Sequence, residues 1–118
     1  MNEYHLVSEL ILGVLTSKIT VLDALSRFPK NDSDINLKCA FDAIAHYEAD
    51  EDLRKNEPDY AIVQDEYLEH IAQTLAKGEQ LSKNIIDEYL KYHDTNLISK
   101  PQKGLKGAMK YLKRMINF

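Results

Sequence analysis

The sequence predicts an all-α protein, a compact irregular bundle or orthogonal array of about five to six helices. Three observations carry that expectation. Apolar residues recur three and four positions apart in successive segments, and no segment alternates convincingly at period two. Pro29, Pro58, Gly78 and Pro101 fall where one periodic segment gives way to the next.

Residues 3–16 place Leu6, Val7, Leu10, Ile11 and Val14 in one stripe, with Asn2 as N-cap. Leu12 and Leu15 widen the stripe, which predicts a central helix contacted on more than one side. Thr20 caps a short second helix that buries Val21, Leu22, Ala24, Leu25 and Phe28 and ends at Pro29. A third helix is expected from Ser33 or Asp34 to about Lys55, with Leu37, Phe41, Ile44 and Ala45 inward. Steps of about 100° carry that stripe onto Glu48 and Asp52, a conflict between pattern and polarity. Pro58 suits the first turn of a fourth helix over 59–77, with Tyr60, Val63, Tyr67, Ile71 and Leu75 inward and Gly78 closing it. Ser82 caps a fifth helix with Ile85, Ile86 and Tyr89 inward, and Tyr92 or His93 after them. Residues 94–103 read as a loop. Residues 104–116 read as a last amphipathic helix, with Leu105, Ala108, Met109, Leu112 and Ile116 on one side.

At 118 residues the chain suits a single domain spanning 1–118. The lone Cys39 supports no disulfide framework and reads as a small buried hydrophobe. The first fifteen residues carry Glu3 and Glu9, lack a basic start and are too short to span a bilayer. A reducing, cytoplasmic setting is therefore expected. Charge is unevenly spread. Beyond Asp94 there are six cations and no acid, so of the net −4 residues 1–94 carry −10. The net charge of −4 argues against indiscriminate nucleic-acid binding.

Two groups of side chains invite a chemical reading. If the third and fourth helices form a hairpin about Pro58, His46 stands level with His70 and Asp50 with Glu66, as in a helical-bundle metal site. Rotational phase opposes this, because His46 and Asp50 lie about 140° and about 180° round from Phe41 and His70 about 100° from its stripe. Glu66 is also followed at the third position by Glu69, not by the histidine of a di-iron motif. Solvated histidines, no metal and no cofactor are expected. Glu48 and Asp52 are the second group. They emerge into water, join Tyr60 and Tyr67 in a buried polar network, or serve as a catalytic acid/base pair, because an unpaired buried charge is very unfavourable.

Phosphate-binding glycine loops, nucleophile elbows, zinc-protease motifs and Cys-x-x-Cys pairs are all absent from the sequence. A helix-turn-helix over 20–55 would meet phosphate with Asp32 and Asp34, which repel it. What remains is a helical protein-interaction or regulatory module without catalysis, its partner another protein or a second copy in a homodimer. Its charged features are an acidic patch around 48–69 and a basic face of Lys103, Lys106, Lys110, Lys113 and Arg114. The basic face would serve a nucleic-acid-associated protein, and the acidic surface of the third and fourth helices a metal-binding or enzymatic one.

Overall fold

Thirteen residues, Glu3–Leu15, form α1, and its stripe closes on the core as Val7, Leu10, Ile11 and Val14, with Ser8 beside them. The structure, a computed structural model, describes residues 3–30 and 33–94. Asn2 and the segment 95–118, with its expected loop and basic helix, lie outside the described residues. Among those described there are six helices and no strand: α1, α2 (Val21–Ser26), α3 (Ile35–Ala49), α4 (Glu51–Asn56), α5 (Pro58–Ala76) and α6 (Lys83–Asp94). None of them is long and apolar enough to cross a membrane.

Local chemistry explains most of the ends. The Thr20 hydroxyl accepts from the Asp23 N–H at 3.0 Å, and the Asp34 carboxylate accepts from the Asn36 N–H at 2.8 Å, so each satisfies an orphan donor of its helix. Pro58 occupies the first turn of α5, where its missing N–H removes no helical bond. At the other end Gly78 takes φ 75°, while Gly78 donates to the Leu75 carbonyl and Glu79 to that of Thr74. Those two bonds are the paired closure of a Schellman cap. The end of α1 repeats it with a serine. Ser17 holds φ 62°, Ser17 donates to Val14, and Lys18 donates to Gly13.

α1 lies along α5 in the most extensive interface, and α3 meets each of the other five helices. That central place follows from the face α3 presents: Asn36, Leu37, Cys39, Ala40, Ala43 and Ile44 are buried, and three of these are small. Small side chains let neighbouring backbones approach closely. The expected stripe is therefore corrected. Phe41 is 43% exposed and packs edge-on against Phe28 with ring centroids 5.2 Å apart, and Ala45 is half-buried. The centre of the buried arc lies roughly 120° round from Phe41 by helical steps. Leu12 and Leu22, expected inside, are 39% and 70% exposed.

The third expected helix is also corrected, because it is broken at Asp50. α3 stops at Ala49, Asp50 sits at φ −95° and ψ 15°, and α4 resumes at Glu51. The Tyr47 carbonyl, which an unbroken helix would pair with the N–H four residues on, accepts from the Arg54 guanidinium.

Ser17 occupies a backbone region that favours glycine, so Ser17→Gly is expected to stabilise the fold by about 0.5–1 kcal/mol. Urea unfolding will show this as a raised midpoint at unchanged slope; a lowered midpoint would contradict the cap.

Candidate functional site

Where α3, α4 and α5 meet, the break at Asp50 turns its carboxylate inward. Tyr60, 2% exposed in the first turn of α5, donates its hydroxyl to Asp50 Oδ2 at 2.5 Å. Gln64, one turn along and also 2% exposed, donates Nε2 to the same oxygen at 3.2 Å. Its Oε1 accepts from Arg54 Nη1 at 3.2 Å, and the Arg54 guanidinium lies 3.6 Å above the Tyr47 ring. The Tyr47 pKa is pushed up chiefly by burial and then by the nearby Asp65 charge, with Arg54 opposing. Each member thus holds the next: a carboxylate anchors two side chains of α5, and a cation stacked on tyrosine anchors the amide.

This is not the carboxylate set that polarity singled out. Glu48 and Asp52 are exposed, whereas Tyr60 and Tyr67 are buried. The reason is the rotated face of α3. Glu48 shares the flank of Phe41, while Asp50 falls about 60° from the centre of the buried arc. Measuring from Phe41 had turned Asp50 to the far side. The signal that finds it is the small-residue run Cys39, Ala40, Ala43, which marks the true inner face.

A second polar cluster ties the opposite end of α3. The Tyr4 hydroxyl donates to both Asp34 oxygens, at 3.1 and 2.9 Å. Asn36, 3% exposed, donates Nδ2 to the Tyr4 oxygen at 3.0 Å and accepts at Oδ1 from the Leu81 N–H at 2.8 Å. The turn between α5 and α6 is thereby fastened to α1 and α3. Among the described residues no buried side-chain nitrogen or oxygen is left without a partner.

The four metal candidates have separate settings. His46 lies 3.6 Å from Asp42 one turn back on α3, Asp50 is engaged by Tyr60 and Gln64, and Glu66 is exposed on α5. His70 is half-buried, with its Nε2 3.4 Å from the Thr74 hydroxyl. Among the described residues no group of three His, Cys, Asp or Glu side chains is placed to hold a metal ion. Cys39 is 3% exposed, and burial, helped by Asp42 and Asp34, pushes its thiol up to about 12. It stays protonated at neutral pH and is no nucleophile.

Along the outer face of α5, Ile62 is 57% exposed, and Asp59, Asp65, Glu66 and Glu69 stand three, four and seven positions from it, all exposed. Glu48, Glu51 and Asp52 extend the negative surface, relieved by Lys55, which lies 3.7 Å from Glu51. Lys103, Lys106, Lys110, Lys113 and Arg114 lie outside the described residues. No protein-family model, curated protein or solved structure matches this chain.

Tyr60→Phe is expected to cost about 1–3 kcal/mol, because Asp50 then keeps only Gln64. A cycle with Asp50→Ala should show coupling of about 1 kcal/mol or more, while Glu48→Ala and Asp52→Ala each stay within about 0.5 kcal/mol. Additive effects in the cycle would sink the network. His70 supplies a pH dependence. Burial, and then Lys77, holds its pKa below the ordinary 6.5, so the unfolded chain takes up the proton first as pH falls. Its contribution is complete above the unfolded value and is lost as pH drops through the lower folded one. Melting temperatures between about pH 7.5 and about pH 5 should fall less steeply for His70→Gln than for the parent chain.

Proposed function

We propose that this chain is a small helical interaction or regulatory module without catalysis, which binds a cationic partner through the outer faces of α4 and α5. The observation that carries this reading is the exposed Ile62 ringed by Asp59, Asp65, Glu66 and Glu69. An apolar anchor with a charged rim is the pattern of a protein-recognition surface: burying an isoleucine contributes about 1.5–3 kcal/mol, and the rim steers and orients the partner. Its complement is a basic segment with one apolar side. Such a segment could belong to another protein or to a second copy of this chain.

The interior supports the same reading. The carboxylates and hydroxyls nearest one another are spent on holding helices together, and the one thiol is buried and protonated. A chain with a single cysteine suits a reducing compartment, and the reading places it in the cytoplasm.

The test is comparative capture from a lysate of the native organism at about 0.15 M salt, where charged surfaces still attract. The parent chain is expected to retain a protein that Glu66→Lys with Glu69→Lys loses and Ile62→Ser retains less. The same protein should leave at about 0.5 M salt. Identical retained sets from parent and charge-reversed chains would overturn the reading. Nucleic acid retained by all of them would instead favour the basic segment as the working surface.

A further inference from the structure

Among the described residues the two most exposed large apolar side chains are Leu22 of α2, at 70%, and Ile62 of α5, at 57%. Leu22 stands outward because Val21 and Ala24 take the inner side of α2, about 130° away by helical steps. The charges near the two differ in sign. Residues 16–30, which are α2 with its flanks, hold Lys18, Arg27 and Lys30, all exposed, against one acid, Asp23. Phe28, just past α2, packs edge-on against Phe41 of α3, which is itself exposed and has the exposed Lys38 three positions before it. Residues 48–69 hold nine acids against two cations, and one of those cations, Arg54, is engaged by Tyr47 and Gln64. Each apolar side chain thus has charge of mainly one sign near it in the chain, and the two signs are opposite.

We infer that the partner of the α5 surface is a second copy of this chain, whose α2 face docks there with Leu22 against Ile62. Lys18, Arg27 and Lys30 of one copy then stand opposite Asp59, Asp65, Glu66 and Glu69 of the other. The inference rests on the reading of α5 as a docking face and names its occupant. Burying the two apolar side chains together supplies attraction, and the opposed charges orient the approach and reject like-charged pairings of the same two faces. The net charge of −4 opposes self-association only weakly, because at about 0.15 M salt charges farther apart than about 8 Å are screened. One molecule does not make the contact with itself. α2 packs on α1 and α3, α5 packs on α1, α3 and α4, and Leu22 and Ile62 lie on the sides those packings leave open. The contact joins two different patches, and every copy carries both, so a copy damaged in one patch still pairs through the other.

Sedimentation equilibrium of the full chain from about 10 μM to about 1 mM, the range suited to a small interface, tests this. At about 0.15 M salt the average mass is expected to climb above the 13.6 kDa of one chain, and to climb less at about 0.5 M. Leu22→Asp, and separately Glu66→Lys with Glu69→Lys, should each weaken association at least about tenfold. Lys18→Glu with Lys30→Glu probes the basic side without altering Leu22 and should act in the same direction. Mixing the Leu22→Asp chain with the Glu66→Lys, Glu69→Lys chain should restore pairing, because the first keeps its α5 face and the second its α2 face. A parent chain that stays monomeric throughout would overturn the inference, as would association indifferent to Leu22→Asp or a mixture that fails to pair. A monomer that still captures another protein through Ile62 would remove this occupant and leave the α5 surface as a docking face. A monomer without such capture would remove both.

Discussion

The arrangement depends on the close approach that α3 permits. A helix that touches five others cannot present bulky side chains to all of them, and Cys39, Ala40 and Ala43 are what let it sit in the middle. Larger residues are placed around it. Ile44 and Leu37 are buried on α3 itself, and Ile11 of α1 and Leu68, Ile71 and Leu75 of α5 are fully buried beside them in the core. Phe41 is displaced to the rim for the same reason, where its ring stacks edge-on against Phe28 instead of occupying the centre.

Apolar contact alone would leave α3 free to slide or rotate against its neighbours, since dispersion and burial have little direction. The two polar clusters remove that freedom. At its start Asn36 and Asp34 hold Tyr4 of α1 and the backbone of Leu81; at its end Asp50 holds Tyr60 and Gln64 of α5. Hydrogen bonds are directional, and a buried polar group that loses its partner forfeits about 1–3 kcal/mol. Slippage at either end would break several such bonds at once, so the clusters act as registers for the helix between them. The break at Asp50 belongs to this device, because an uninterrupted helix would commit the Tyr47 carbonyl that Arg54 takes.

A consequence for function is that the polar side chains best placed for chemistry are already occupied by one another. What the interior leaves to the outside is a set of rigid helical faces with uneven charge. Among the described residues, Ile62 of α5 stands exposed on a face that also carries Asp59, Asp65, Glu66 and Glu69, and Leu22 of α2 is another large apolar side chain left on that exterior.

Several features were legible without coordinates because their causes are local. The helical class follows from spacing, the start of α2 from Thr20, the start of α3 from Asp34, the entry to α5 from Pro58 and its exit from Gly78, each through bonds made within a few residues. Tyr60, Tyr67, Ile71 and Leu75 were readable as inward for the same reason, since α5 has one dominant apolar stripe. The rotation of α3 was not readable, because size and not hydrophobicity decides which side of a central helix faces in, and only the neighbours set how much room there is. Asp50 depended on that rotation. Its inward turn needs Tyr60 and Gln64 of α5 and Arg54 of α4 brought together at the end of α3, and no periodicity within one segment records such a meeting.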